Sequence, residues 1–261
     1  MFSNVEYANI NKTFLIFAYL LNNTIIKIMA KEQSVRIQTS LLNAAEKKAL
    51  VWLAGRQPKW MTSDILTFIG FLGAVIIAVG YALSANPVFL WLSTAGWIIN
   101  WYGDSLDGTL ARVRKQQRPI YGFFIDHTVD CINESVMIIG LGMAPFMQFD
   151  IAMLCLVAYL LISVYVYISA HLKGEFKLTY GKMGPTELRV IMIIINTLWF
   201  FIPWLRDYRL VVNAFNDVFV FSVFDLLGIF IFIGILIAYF GSLIKDGREY
   251  AKADPLKKNE Q

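Results

Sequence analysis

The chain has little cysteine, little histidine and little charge, and each shortage removes a class of protein. Two cysteines in 261 residues, Cys131 and Cys155, lie inside apolar runs. They provide neither a disulfide framework nor a CxxC metal motif, and read as small buried hydrophobes. Two histidines, His127 and His171, are too few and too scattered for a zinc site. His127 adjoins Asp126, but neighbours on a helix project in different directions. Charged residues make up only 16% of the chain and the net charge is +4, and no nucleic-acid partner is expected. There are no internal repeats and no low-complexity linkers, so one membrane domain is the economical reading.

Apolar surface is what the chain has in excess. It is 57% hydrophobic and 15% aromatic, with a mean hydropathy of +0.57, against roughly 45–50% apolar for a soluble domain. The excess is gathered into runs of about 20 residues, the length an α-helix needs to cross a bilayer. The expected fold class is therefore all-α: a polytopic membrane protein with six transmembrane helices preceded by an interfacial amphipathic helix.

Residues 1–37 read as an N-terminal segment. Phe14 to Leu21 is apolar, but Asn22, Asn23 and Lys27 interrupt it too soon for a span. It also lacks the basic region and cleavage site of a signal peptide. It is either an interfacial helix or an extension upstream of Met29. Residues 38–60 hold the amphipathic helix: Leu41, Leu42, Ala45, Ala49, Trp52 and Leu53 recur at helical spacing against Asn43, Glu46, Lys47 and Lys48. With Trp60 close by, that helix is expected to lie in the membrane interface.

The membrane domain is expected over residues 61–244. Its spans are predicted at Ile65–Leu83, Val88–Arg112, Gly122–Ala144, Ile151–Leu172, Leu188–Leu205 and Val218–Ile244, with a polar loop over Arg206–Asp217. Asp64 reads as the N-cap of the first. Residues 245–261 form a charged tail that frays. Of the 23 lysines and arginines, all but Arg206 and Arg209 fall on one side of this arrangement. The positive-inside rule then turns both termini toward the cytoplasm, from the inner membrane.

The stretch Asp104 to Asp130 reads DSLDGTLARVRKQQRPIYGFFIDHTVD. Asp104 and Asp107 stand at i,i+3, and Asp126 and Asp130 at i,i+4, so each pair projects from one helix face. Acids at a membrane boundary repel one another and lose hydration, so they need a strong reason to be there. A bound divalent cation, or two, supplies it, and aspartate oxygens suit Mg²⁺, Mn²⁺ or Ca²⁺. Gly108, Gly122 and Ala111 leave room for a ligand or a neighbouring helix to approach the backbone. Arg112 can pair with a phosphate or brace a carboxylate.

The pattern resembles the CDP-alcohol phosphotransferases (CDP-alcohol phosphatidyltransferases), whose signature is D-x2-D-G-x2-A-R followed by G-x3-D-x3-D. Asp104, Asp107, Gly108, Ala111, Arg112, Gly122, Asp126 and Asp130 fill every fixed position. Met61 to Thr67 is also similar to the start of the family's first span, with Ser63 and Asp64 where proline and asparagine are usual. The resemblance implies a homodimer that transfers a phosphatidyl-type group from CDP-diacylglycerol, or a related CDP-lipid, to an alcohol and releases CMP. It implies Mg²⁺ or Mn²⁺, two ions, held by Asp104, Asp107, Asp126 and Asp130. Asp130 is also the general base; Asp107, Gly108, Ala111, Arg112 and Gly122 line the CDP pocket.

The basic loop from Lys173 to Arg189 shares the cytoplasmic side with these acids. Lys173, Lys177, Lys182 and Arg189 can hold a phosphorylated acceptor, although a basic loop is also ordinary for topology. Inositol phosphate or inositol is the first choice of acceptor, then glycerol 3-phosphate, then serine or ethanolamine. Thr186 and Glu187 read as a helix start, with Glu187 alternatively holding an ammonium group. Two other classes compete: a membrane cation transporter with an acidic metal site, and an aromatic prenyltransferase, which would need a second acidic motif.

Overall fold

The structure, a computed structural model, describes residues 35–37, 42–173, 175–177, 184–214 and 217–255. Residues 1–34, the first residues of the predicted amphipathic helix, Lys182 and the last residues of the tail lie outside these. Short strands β1 (Val35–Ile37) and β2 (Glu175–Lys177) pair in parallel. Among the described residues, the rest of the chain up to residue 207 is helices joined by short connections.

Helix α1 (Asn43–Ala54) is shorter than the predicted 38–60 segment. The chain turns after it through Gly55 to Trp60, where Pro58 cannot continue a helix. Helix α2 (Ser63–Ala82) is capped by Thr62, whose hydroxyl oxygen accepts from the Ile65 amide at 3.2 Å. Asp64 is thus not the cap. It sits in the first turn, 3.5 Å from Arg118. A 3₁₀ turn, Pro87–Phe89, leads into α3 (Leu90–Val113). Helix α4 (Pro119–Gly142) starts three residues before the predicted Gly122, because proline is preset for the first helical position. Helix α5 spans Phe149–Lys173.

The C-terminal third departs from the expected spans. Helix α6 (Pro185–Phe201) does not run through to Leu205. Pro203, lacking an N–H, breaks it and opens the short α7 (Pro203–Asp207). The expected polar loop folds as an antiparallel hairpin, β3 (Arg209–Ala214) with β4 (Asp217–Ser222). Its β-branched and aromatic residues, such as Val211, Val220 and Phe221, suit a pleated surface. The last helix, α8 (Val223–Ala253), therefore begins after Val218 and continues into the predicted tail. A capping box sets its start: Ser222 and Asp225 bond each other's backbone amides at 3.0 and 2.8 Å. A hydrogen bond from Tyr165 to Asp246, 2.5 Å, ties its extension to α5.

Helices α2 and α8, and Phe149–Leu172 of α5, are long and apolar enough to cross a membrane. Helices α3 and α4 have 24 residues each but carry the acids. Large apolar side chains such as Phe68, Val157, Phe230 and Ile237 cover the outer surface, as a lipid-facing surface requires.

Helices α2 and α3 pack almost backbone to backbone. A Cβ at Gly103 would lie 2.2 Å from the Gly70 amide nitrogen, and one at Gly73 would lie 2.4 Å from that of Asn100. Glycine at such a crossing lets two helices interlock where hydrophobic burial gives little drive. Asn100 adds a hydrogen bond to the Gly70 carbonyl, 3.0 Å. Gly140 brings α4 equally close to Ala78.

One apolar cluster, around Ile77, Trp97, Phe146, Trp199 and Phe224, fills one end of the bundle. Within it Trp97 donates to the Tyr81 hydroxyl (3.2 Å), which donates to Asn196 (3.0 Å). The second cluster sits at the other end, where Leu50 and Ala54 of α1 pack on Leu66, Leu106 and Leu110. That end also carries the acids.

Candidate metal centre

The turn after α3 brings the two acidic pairs together. Lys115 adopts a left-handed conformation, φ 55°. Its amide bonds the Arg112 carbonyl at 3.1 Å, and the Gln116 amide bonds that of Ala111 at 2.9 Å. This closes α3 with a Schellman turn. Arg114 fixes the turn by donating to the carbonyls of Gln57 and Pro58, 2.9 Å each. Helix α4 then runs back along the bundle with Asp126 and Asp130 facing α3.

Asp104, Asp126 and Asp130 each offer a carboxylate oxygen, and these three oxygens lie within 4.8 Å of one another. Asp107 stands outside that trio. It is buried against α2, where Thr67 donates to its Oδ2 at 2.7 Å, and its Oδ1 accepts from the amide of Gly108. Ser63 donates to the Asp107 carbonyl at 2.9 Å, so two α2 hydroxyls hold this residue.

Arg189 of α6 reaches into the same site. Its Nη2 donates to Asp104, its Nε donates to Asn100 at 3.0 Å, and Nη1 approaches Ser105 at 3.4 Å. Of the four cations proposed for an acceptor, this one touches a cluster carboxylate. Lys173 ends α5 and Lys177 lies in β2.

The signature's small residues differ in what surrounds them. Among the described residues, a Cβ at Gly122 would meet nothing within 4 Å, and one at Gly108 only the Arg112 side chain, at 3.4 Å. Neither glycine serves helix packing, unlike Gly73 or Gly103, so each leaves open backbone beside the acids. Arg112, one turn on from Gly108 and next to half-buried Ala111, donates to Thr109 at 2.9 Å. His127 Nδ1 lies 2.8 Å from the Phe123 carbonyl and 3.8 Å from Asp126. Glu187 accepts from the Gly184 amide (2.9 Å) and the Leu42 amide (2.8 Å). It caps α6 and ties it to the residue before α1, the helix-start role expected of it.

Several contributors carry no motif. Thr67 and Ser63 stand one helical turn apart, the only signal that they share a face. Asn100 precedes Asp104 by four residues and is readable as its same-face neighbour. Glu134 extends the Asp126–Asp130 stripe by another turn, with Tyr159 of α5 facing it. Its Oε2 is buried with no hydrogen-bond partner among the described residues, as is Asn133 Oδ1.

This donor set fits a divalent cation. Three carboxylates at one point, from two helices, are the hard oxygen ligands that Mg²⁺, Mn²⁺ and Ca²⁺ take. One guanidinium cannot neutralise them all.

Comparison with known proteins agrees with this chemistry. The family model described as CDP-alcohol phosphatidyltransferase matches residues 60–240. An archaetidylinositol phosphate synthase of Methanothermobacter thermautotrophicus is 30% identical over 156 residues, covering 59% of this chain and 76% of that protein. An archaetidylinositol phosphate synthase of Pyrococcus horikoshii is 28% identical over 53% of this chain and 70% of its own. A phosphatidylinositol phosphate synthase of Cutibacterium acnes is 32% identical over 85 residues, 32% of this chain and 38% of that one.

Proposed function

We propose that this chain, which belongs to the CDP-alcohol phosphatidyltransferase family, is a phosphotransferase of phospholipid biosynthesis that joins a CDP-lipid to inositol phosphate. The donor is CDP-diacylglycerol or a related CDP-lipid. Inositol is the next acceptor in order, then glycerol 3-phosphate, then serine or ethanolamine. The observation that carries the reading is the convergence of Asp104, Asp126 and Asp130 within 4.8 Å, inside a complete family signature. The acceptor rests on the relatives' names and on the cations Lys173, Lys177, Lys182 and Arg189.

In the reaction the acceptor hydroxyl oxygen attacks the lipid-side phosphorus of the pyrophosphate. The bond from that phosphorus to the bridging oxygen breaks, and CMP leaves with the oxygen. Asp130 takes the hydroxyl proton, acting as general base within the trio. Asp104, Asp107, Asp126 and Asp130 would hold Mg²⁺ or Mn²⁺, two ions, which when bound neutralise the pyrophosphate and stabilise the departing phosphate. Gly108, Ala111 and Gly122 leave space for the nucleotide, and Arg112 meets one of its phosphates. Arg189, bonded to Asp104, can orient an acceptor phosphate. Six spans place this site and both termini on the cytoplasmic side, with α1 in the interface, in a homodimer.

Purified protein given CDP-diacylglycerol and a panel of these acceptors is expected to release CMP only with both a divalent metal and an acceptor, fastest with inositol phosphate. Chelation stops the release. Asp130→Asn is expected to slow it by about 10²–10⁴-fold; normal turnover in that variant would remove Asp130 as the base. Equal turnover with glycerol 3-phosphate would remove the acceptor assignment alone.

A further inference from the structure

The far end of the bundle, opposite the acids, holds a second cationic feature. A cavity of about 160 Å³ lies among the α2–α3 turn, the α4–α5 turn and the end of α6, lined by Ser84, Pro87, Phe146, Trp199, Arg206 and Arg209. Ser84 lies just past the end of α2, and from Thr67 to that end the helix rises about 22 Å, so this cavity is remote from the metal centre.

Three features make it a site for an anion. First, its two arginines are the two cations in the chain that the charge pattern puts on this side, and both line the one cavity. Cations are disfavoured there, so their pairing needs a cause. Second, neither makes an ion pair among the described residues. Arg209 Nη1 donates to the carbonyls of Arg206 and Tyr208, 2.6 and 2.8 Å, which fixes its guanidinium. Its remaining N–H groups and the whole Arg206 guanidinium make no hydrogen bond among the described residues. Third, two like charges three residues apart repel, and an oxyanion between them reverses that cost. The volume exceeds the ~30 Å³ share of one water several-fold, which leaves room for a tetrahedral oxyanion.

We propose that this cavity binds a phosphate group, from an anionic phospholipid headgroup in the far leaflet or from free phosphate. Phe146 and Trp199, buried in the apolar cluster beneath, form its floor, and guanidinium groups hold the phosphate bidentately.

Hydrogen exchange tests the proposal on the full chain. The protein is placed in phosphatidylcholine nanodiscs, in equal phosphatidylcholine and phosphatidylglycerol, and in phosphatidylcholine with added inorganic phosphate. Peptides covering residues 84–87 and 203–209 are expected to exchange about tenfold more slowly when the anion is bound. Protection by phosphatidylglycerol alone identifies a headgroup as the source; protection by inorganic phosphate identifies the free ion. R206Q/R209Q is expected to lose the protection while releasing CMP at the ordinary rate, and R206K/R209K to keep part of it. No protection of the unaltered protein by either anion overturns the proposal, whatever the variants do. So does equal protection in R206Q/R209Q.

Discussion

Asp104 and Asp107 are one turn apart on α3 yet face different neighbours. Arg189 takes Asp104, and Thr67 takes Asp107. The spacing that puts both on one side of the helix does not decide which partner each meets. That depends on α2 and α6, far away in the chain. The Thr67 hydroxyl then matters beyond its size, because a buried carboxylate oxygen without a donor is costly. Thr67→Val keeps the shape and removes the donor. It is expected to lower CMP release or metal affinity about 10–100-fold, as loss of a residue supporting a metal ligand does, with stability lowered by about 1–3 kcal/mol and Thr67→Ser restoring both. Unchanged release and unchanged Mn²⁺ binding in Thr67→Val would show that Asp107 needs no such support.

The helices divide the glycines into two uses, which substitution can separate. At Gly73 a Cβ would come within 2.4 Å of the Asn100 nitrogen and 2.7 Å of its Cα. These are backbone atoms that cannot swing aside, so α2 and α3 must part. Gly73→Ala is expected to cost roughly 1–3 kcal/mol, read as a lower melting temperature in detergent. Gly122→Ala meets open space and replaces a poor helix former, a gain of up to ~1 kcal/mol. Its melting temperature should hold or rise while CMP release falls about tenfold, because the methyl group enters the space assigned to the nucleotide. Full activity in Gly122→Ala would take that space away from the nucleotide. The signature around these glycines was legible because helical spacing fixes faces. The end of the chain was not: Val218 to Ser222 is as apolar as a helix, and a short apolar run does not reveal its own period. The readable clue was Ser222 three residues before Asp225, a cap that starts α8 later than hydropathy does. The extension of α8 past Ile244 depends on Tyr165 meeting Asp246, a contact that no local pattern encodes.

Across the whole molecule, the ends of α3 and α8 and the starts of α4 and α6 share one end of the bundle, and the hairpin and the Arg206–Arg209 cavity share the other. Six crossings would give that distribution, yet among the described residues three helices meet length and composition for a span. The others depart for identifiable reasons: α3 and α4 carry the acidic cluster, and α6 has 17 residues, about 26 Å by helical rise against a hydrocarbon core of ~30 Å. Labelling with an impermeant maleimide in sealed membrane vesicles tests the arrangement, in a background where Cys131 and Cys155 are serine. Gln116→Cys and Arg248→Cys are expected to react from one side, and Ala85→Cys and Asp207→Cys from the other. The decisive site is Asp207, just past α6. If Asp207→Cys labels from the same side as Gln116→Cys, then α6 does not cross. Arg189 would still reach Asp104, but the arginine cavity would lose its far leaflet, because Ala85 and Asp207 would no longer share a face.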